Sequence, residues 1–399
     1  MSEAEIHVAE RSIGFRMRET LAVQEPAVRI IHILNHCNHG HGNAHVAIDL
    51  ACAQAENGCD VVYASAGGDY EGLLKSKGVK VVHITQKSHN PAVIALNLLK
   101  LIRLCQRFRP DILHAHMMTG AAIGYIASRL YRTTLITTVH NSFDPHSLLM
   151  RLGDRVVAVS EAERRSLIAR GFKADRVEVV LNGPNLSPRE EWLEEMPSAP
   201  DVRRPCIATV CGLHRRKGVP DLLRAFKEAC ATSADWTLNI VGEGPDREDL
   251  EQLASELGLD GKVRFLGSIP RPKAILRQTD IFVLASYADP CSLALAEALF
   301  AGCATVATAV GGTPELLGGG AHGVLVPPGR PDALAAALSR LMSDPAEMAS
   351  RRSQALTAAG KLTIHRVRQE YDALYRRAID KALSSDGRGF SEAGATRRS

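Results

Sequence analysis

The sequence predicts an α/β protein made of two Rossmann-like, doubly wound parallel-sheet domains that face a central cleft. Three observations carry that expectation. Short runs rich in Val, Ile and Leu recur along the chain without strict apolar–polar alternation, as strands covered on both faces should. Helical patterns stand between them, and repeated strand–helix units build a parallel sheet. The rhythm stops once, in SPREEWLEEMPSAPDVRRP (187–205), and then restarts.

In chain order, residues 1–27 read as a flexible leader. The N-terminal domain, 28–190, holds the strand-like runs VRIIHIL (28–34), DVVYAS (60–65), VKVVHI (79–84), DILHAH (111–116), LITTVH (135–140), RVVAVS (155–160) and VEVVLNG (177–183). HVAIDLACAQAENG (45–58) is a helical pattern between the first two. The acidic, Pro-rich interruption buries little, and 191–204 is assigned as the inter-domain linker. The second domain, 205–365, repeats the theme with CIATVCG (206–212), WTLNIVG (236–242), KVRFLG (262–267), IFVLAS (281–286), ATVATAV (304–310) and GVLVPP (323–328). IHRVRQEYDALYRRAIDKAL (364–383) is amphipathic, so 366–383 is expected to form a helix packing back toward the N-terminal domain. Residues 384–399 read as a disordered tail.

Composition narrows the function. A chain that is 45% hydrophobic and 23% charged is that of an ordinary soluble globular protein. A net charge of +4 is too small to suggest a nucleic-acid partner. No apolar run reaches the roughly 18–20 residues that span a bilayer. The N-terminus lacks the apolar core of a signal peptide. The nine cysteines include no C-x-x-C pair and lie mostly in apolar runs, which favours reduced core thiols in a cytoplasmic protein over a disulfide framework or a zinc site.

Charge is uneven. Between Gly72 and Arg132 ten Lys and Arg residues face one acid, Asp111. Within that segment 91–109 reads as an amphipathic helix with a basic edge. Either it is a solvated face packed on its own domain, or it docks the protein at an anionic membrane surface, the inner face being the expected one, or at an anionic acceptor.

Two such domains in series leave a cleft, and ligands of these sheets bind at the carboxyl ends of strands beside helix N-termini. The informative residues are therefore those just after each strand. NHCNHGHGNAHVAIDL (35–50) sets Gly40, His41, Gly42 and Asn43 at a helix entry, where backbone N–H groups can face an anion. Its four histidines make a metal site conceivable, though no acid or Cys completes a standard zinc spacing; the other readings are an acceptor-facing polar loop and a plain surface loop. His140 ends a central strand; it is a packed structural histidine, or it hydrogen-bonds a sugar hydroxyl or a developing charge. Arg215, Arg216 and Lys217 precede a glycine and a helix, an arrangement suited to a diphosphate or to a solvated basic turn. Gly242 and Gly244 permit close backbone approach, by a base or ribose. Ser268 stands at another strand end, where backbone groups could meet a base edge. DPCSLALAEALFAG (289–302) holds two acids, Asp289 and Glu297, with almost nothing polar between.

Together these loops resemble the retaining glycosyltransferases of family 4. The resemblance rests on an ordered set: HGNA (41–44), TTVHN (137–141), SEAERRSLIARGF (160–172) with VVLNG (179–183), RKG (216–218), VGEGP (241–245), VRFLGSIP (263–270), and the block from Asp289 through AEALFAG to VATAVGGTPELL. It spans roughly 28–380 and implies the GT-B fold. It further implies transfer of a hexose-type sugar from a nucleotide-diphosphate donor, UDP by preference, to a hydroxyl of a sugar or glycolipid acceptor, in polysaccharide, lipopolysaccharide or glycolipid assembly. No metal and no cofactor is implied, because the nucleotide sugar is itself a substrate. Anomeric configuration is retained by front-face displacement, in which the leaving diphosphate takes the acceptor proton. By resemblance His140 sits near the donor sugar, Asp289 contacts sugar hydroxyls and Glu297 binds the ribose diol. Ser292, Leu293 and Ala294 open a helix near phosphate and sugar, and Lys217 with Arg216 or Arg215 stabilises the leaving group.

The sequence departs from the family pattern at Asp289, where Glu is usual, at Gly212, where the phosphate-binding Arg is usual, and at His41 and Ala44. The departures at Asp289 and Gly212 also fit a degenerate, non-catalytic nucleotide-sugar-binding scaffold; a separate alternative is another GT-B enzyme such as a nucleotide-sugar epimerase.

Overall fold

The computed structural model describes residues 27–86, 90–194, 200–231 and 235–385. Residues 1–26 of the leader and 386–399 of the tail lie outside the described residues. The N-terminal half runs β1 (Arg29–Ile33), α1 (Gly42–Glu56), β2 (Asp60–Ser65), α2 (Glu71–Ser76), β3 (Lys80–His83), α3 (Pro91–Phe108), β4 (Ile112–Ala115), α4 (Met118–Tyr131), β5 (Thr134–Val139), β6 (Arg155–Ala158), α5 (Glu161–Ala169), β7 (Val177–Val179) and α6 (Pro188–Glu194). The C-terminal half runs β8 (Cys206–Val210), α7 (Val219–Ala229), β9 (Thr237–Val241), α8 (Arg247–Glu256), β10 (Val263–Gly267), α9 (Pro272–Leu276), β11 (Ile281–Leu284), α10 (Leu293–Phe300), β12 (Ala304–Thr308), α11 (Thr313–Leu316), β13 (Val324–Val326), α12 (Pro331–Ser343), α13 (Pro345–Ala359) and α14 (Ile364–Ser385).

Each strand expected from the sequence is present. The first sheet has seven strands in the order β3-β2-β1-β4-β5-β6-β7, and the second has six in the order β10-β9-β8-β11-β12-β13. All pairings between these strands are parallel. Strand order reverses between β1 and β4 and between β8 and β11, the places where such sheets open a crevice. The edge strands β3 and β10 are only partly buried, because a neighbour covers them on one side alone.

Alternate side chains of each strand feed opposite layers. On one face of the first sheet Ile31, Ile33, Leu113 and Leu135 pack with Leu101 of α3 and Ala121 of α4. On the other, Ile30, Ile112, Ile136 and Val157 pack with Ile364, Val367, Tyr371 and Leu374 of α14. The C-terminal helix therefore closes the N-terminal sheet, its apolar stripe burying side chains worth about 1.5–3 kcal/mol each.

Three expectations need correction. The interruption at 187–205 does bury surface: Ser187, Arg189 and Leu193 are inside, and α6 is part of the fold, because Arg189 meets carboxylates from both domains. The C-terminal helix continues through Ser385, past the start expected for the tail. The excess positive charge of 72–132 is partly neutralised from outside that segment. Lys75 pairs with Glu71, Lys77 with Glu56 and Glu191, Lys80 with Asp60, and Arg129 with Asp154.

Candidate active site

Loops after the strands of both domains meet one another. The Cβ that Gly42 lacks would lie 3.5 Å from Cδ1 of Leu293, so the entry of α1 abuts the entry of α10. The Arg216 guanidinium lies over the Phe143 ring, 5.4 Å from its centroid. The Glu315 carboxylate accepts the backbone N–H groups of Glu161 and Ala162, at 2.8 and 3.0 Å, and so caps α5 from the other domain. Asn182 donates to the Cys291 carbonyl at 3.0 Å.

At the centre of the C-terminal side, Nζ of Lys217 lies 2.6 Å from Oδ2 of Asp289, with the two side chains 14% and 6% exposed. Two glycines fix this pair. Gly218 has φ +64°, and a Cβ there would stand 1.9 Å from the Ala285 carbonyl oxygen. Gly311 has φ +50°, and its Cβ would stand 1.7 Å from the Asp289 carbonyl oxygen. Only glycine fits either place. Ser292 is the N-cap of α10 and its Oγ accepts the Leu295 N–H at 3.2 Å. The N–H groups of Leu293 and Ala294 are then first-turn donors without an intrahelical acceptor, next to the Asp289 loop. Arg215 and Arg216 are exposed, so the cationic trio divides: Lys217 is held by Asp289 while the arginines face outward.

Glu297, on the same helix, is 5% exposed. Its Oε1 lies 3.6 Å from Nη2 of Arg189, which donates to Oδ2 of Asp49 at 3.2 Å. Burial pushes the Asp49 carboxyl up to about 6 and raises that of Glu297, against the pull of Arg189. The chemistry of Glu297 thus includes a buried cation from α6.

The glycine-rich turn after β9 packs closely on the loop after β8. A Cβ on Gly242 would meet the Cys211 carbonyl oxygen at 1.9 Å, and one on Gly244 the Leu213 carbonyl oxygen at 2.2 Å. These glycines give the neighbouring β8 loop the room it needs. Ser268 is exposed one residue past Gly267, whose carbonyl accepts the Gly242 N–H at 2.8 Å. In the first loop Gly40 has φ +75°, His41 is the N-cap of α1 without a side-chain cap, and Asn43 donates toward Sδ of Met117 at 3.2 Å. His36 and His41 are ring neighbours at 4.5 Å, while His39 and His45 lie against Tyr70.

His140 directly follows β5, partly exposed, with Nε2 3.1 Å from Nδ1 of His116. Burial depresses its pKa to about 4. Behind it lie His32, His114 and His116, which the sequence reading did not single out. They are the one group among the described residues whose ring nitrogens approach closely enough to share a metal ion, within 4.8 Å of one another. All six of those nitrogens already have hydrogen-bond partners. The available signal was His-x-His in DILHAH, two same-facing imidazoles in an otherwise apolar strand. For Arg189 and Asp49 no local signal existed; their pairing joins segments 140 residues apart.

All nine cysteines are free thiols. Among the described residues no helix is long and apolar enough to cross a membrane.

Comparison with known proteins agrees with this geometry. The model of glycosyl transferases group 1 matches residues 191–358, and that of glycosyltransferase family 4 matches residues 41–187. A 2-deoxystreptamine glucosyltransferase of Streptomyces kanamyceticus is 26% identical over 324 residues, 73% of this chain and 84% of that protein. A lipopolysaccharide core biosynthesis glycosyltransferase of Rhizobium meliloti is 29% identical over 256 residues, 62% of this chain and 69% of that one. Among solved structures, Anabaena HepE in complex with UDP and glucose superposes with a TM-score of 0.73 at 20% identity, covering 88% of this chain and 100% of that one, which shows the GT-B fold. The chain belongs to the group 1 glycosyltransferases of family 4 and is a glycosyltransferase enzyme.

Proposed function

We propose that the protein transfers a sugar from a UDP-sugar to a hydroxyl of a sugar or glycolipid acceptor, with retention of anomeric configuration, in the assembly of a polysaccharide, lipopolysaccharide or glycolipid. The observation that carries this reading is the Lys217–Asp289 pair beside the first-turn donors of α10. A cation and helix N–H groups suit the charge that develops on a departing diphosphate. The sugar–phosphate bond breaks, the acceptor oxygen bonds the anomeric carbon on the same face, and the acceptor proton passes to the leaving phosphate oxygen. Asp289 holds Lys217 and turns its other oxygen toward a sugar hydroxyl. His140 faces the same sugar. No metal or cofactor takes part in this scheme. UDP or glucose bound in solved relatives such as HepE supports the choice of donor.

The test is a panel of UDP-, GDP- and ADP-sugars with calorimetric binding and product analysis. UDP-sugar turnover, with an anomeric proton coupling that matches the donor, is expected. Isomerised donor without an acceptor, or binding without turnover across a broad acceptor panel, would overturn it.

The acceptor side supports a second element of the reading, contact with an anionic membrane at the cytoplasmic face. On α3, Leu96 and Leu99 are 50% and 49% exposed and share the outward face with Lys100, Arg103 and Arg107. Among the described residues no acid pairs with those three cations. Leu130 of the adjacent α4 is 62% exposed. Apolar side chains ringed by unpaired cations complement an anionic lipid surface. Sedimentation with phosphatidylglycerol vesicles should fall steeply with salt and be lost in Leu96→Asp/Leu99→Asp; equal binding to neutral vesicles would refute it.

A further inference from the structure

A line of buried side chains connects the partly exposed His140 to the far side of the N-terminal domain. Strands β1, β4 and β5 are neighbours, and His32 and His114 stand opposite each other in register. His116 and His140 continue the same faces beyond the strand ends, because alternate residues share a face. Nε2 of His32 is 2.9 Å from Oε1 of Gln54 on α1, Nδ1 of His32 is 3.0 Å from Nε2 of His116, and Nδ1 of His116 is 3.1 Å from Nε2 of His140.

The direction of these bonds follows from one end. The Asp372 carboxylate can only accept, and it receives Nε2 of Gln54 at 3.4 Å while also pairing with Arg368 at 2.6 Å. The Gln54 amide is thereby oriented with Oε1 toward His32. An amide oxygen cannot donate, so Nε2 of His32 carries the hydrogen. Burial holds these imidazoles neutral, with pKa values far below the ordinary histidine value, so each ring has a single N–H. Nδ1 of His32 is then a bare acceptor, and Nε2 of His116 must donate to it. The same step repeats, and Nε2 of His140 donates to Nδ1 of His116. The remaining nitrogen, Nδ1 of His140, has no protein partner among the described residues and is not a buried unsatisfied atom.

The branch through His114 closes on the same anchor. Its Nδ1 lies 2.6 Å from the Tyr375 hydroxyl and its Nε2 2.7 Å from Oγ1 of Thr138, which meets the Tyr371 hydroxyl at 2.8 Å. Gln54, Tyr371, Asp372 and Tyr375 thus tie the histidines to α1, the helix that follows β1, and to α14, which is remote in sequence from all three strands.

We propose that Gln54, His32 and His116 are positioning residues that lock His140 in the Nε2–H tautomer, so that its free Nδ1 presents a lone pair. A lone pair there accepts a hydrogen bond from a hydroxyl and repels a phosphate oxygen. The relay therefore makes His140 a reader of sugar hydroxyl groups instead of an anion-binding imidazolium, and it resists conversion to that form. Its catalytic consequence rests on the transferase reading above; the tautomer assignment does not.

The two are tested separately on the full chain. Long-range proton–nitrogen correlation spectra of protein labelled at histidine nitrogen report which ring nitrogen carries hydrogen. At neutral pH His32, His116 and His140 are expected as Nε2–H tautomers. Gln54→Leu should release His140 into a mixture of both forms, and it should lower kcat for transfer roughly tenfold, the cost of about one misdirected hydrogen bond, with far-UV circular dichroism unchanged. His116→Leu should do the same. His116→Asn, whose Oδ1 can stand where Nδ1 stood, should restore the His140 tautomer and most of the lost kcat. A role confined to packing predicts no tautomer change in Gln54→Leu and no advantage of Asn over Leu. Either of those results, a His140 imidazolium at neutral pH, or one equivalent of tightly bound metal on the histidines by elemental analysis would overturn the relay. The expected tautomers in a protein that transfers no sugar would support the relay and defeat the transferase reading.

Discussion

The ammonium of Lys217 lies 2.6 Å from Oδ2 of Asp289, joining the phosphate-clamp turn to the loop that opens α10. Both groups are largely withdrawn from water, so neither is a surface charge whose partner is optional. Lys217→Ala should lower kcat by about 10²–10³, the usual effect of removing one electrostatic donor to a developing anion. It should also lower Tm, because the buried Asp289 carboxylate is left unpaired. Asp289→Asn should cost less stability than Lys217→Ala, since an amide still accepts from the ammonium. A double-mutant cycle on Tm and kcat checks this; additive effects would show that the two do not act together.

Arg189 is the buried cation between Asp49 and Glu297. Arg189→Met should destabilise the protein by about 3–5 kcal/mol, the range for breaking a buried ion pair by removing one partner. Urea unfolding measures it. A change below about 1 kcal/mol would mean that the two carboxylates are neutral in the folded protein.

Stability should depend on pH through the buried imidazoles. His32 and His140 are held down to about 4, and His114 and His116 well below 6.5, by burial. For a group whose folded pKa is lowered, the unfolded chain binds more protons between the two values, so stability is lost as pH falls from about 6.5 toward 4. For His32 alone the full effect is on the order of 3 kcal/mol. Asp49, raised to about 6, acts oppositely, since its protonated form is favoured in the fold and stability falls as pH rises through about 4–6. Burial also raises the carboxyls of Glu163, Glu297 and Asp372, which act in the same sense as Asp49. The four imidazoles, whose ordinary value lies inside the window, outweigh them, so Tm should drop between pH 7 and 5. Calorimetry checks this. In Asp49→Asn the deficit relative to wild type should shrink as pH rises across that window.

Phe143→Ala removes the ring beneath the Arg216 guanidinium, a contact of about 0.5–1 kcal/mol at an exposed site. If this stacking holds the two domains together over the donor, KM for the nucleotide sugar should rise two- to fivefold with kcat nearly unchanged. A kcat defect with unchanged KM would assign Phe143 to the chemical step instead.

Most of the fold was legible because strand and helix periodicity is local. All thirteen strands lie where apolar runs stand in the sequence, and the acid-poor block from Asp289 to Glu297 does open a helix beside Lys217. The partners of charged residues were not legible. Gly242 and Gly244 read in linear order as places of close backbone approach, and only the fold shows that the β8 loop is one of the things that approaches them. The ten cations of 72–132 look unbalanced until Glu56, Asp60, Asp154 and Glu191 arrive from elsewhere.

Two doubly wound domains, their order, and the strand ends at which a site must form are written in the order of residues, since hydrophobic period and glycine placement act over a few residues. Which groups meet emerges from folding alone: Arg189 between Asp49 and Glu297, Lys217 on Asp289, and His140 at the end of a hydrogen-bonded series that begins at Asp372. Electrostatic and hydrogen-bond partnership acts over a few ångströms of space, and nothing in the linear order of residues records that distance.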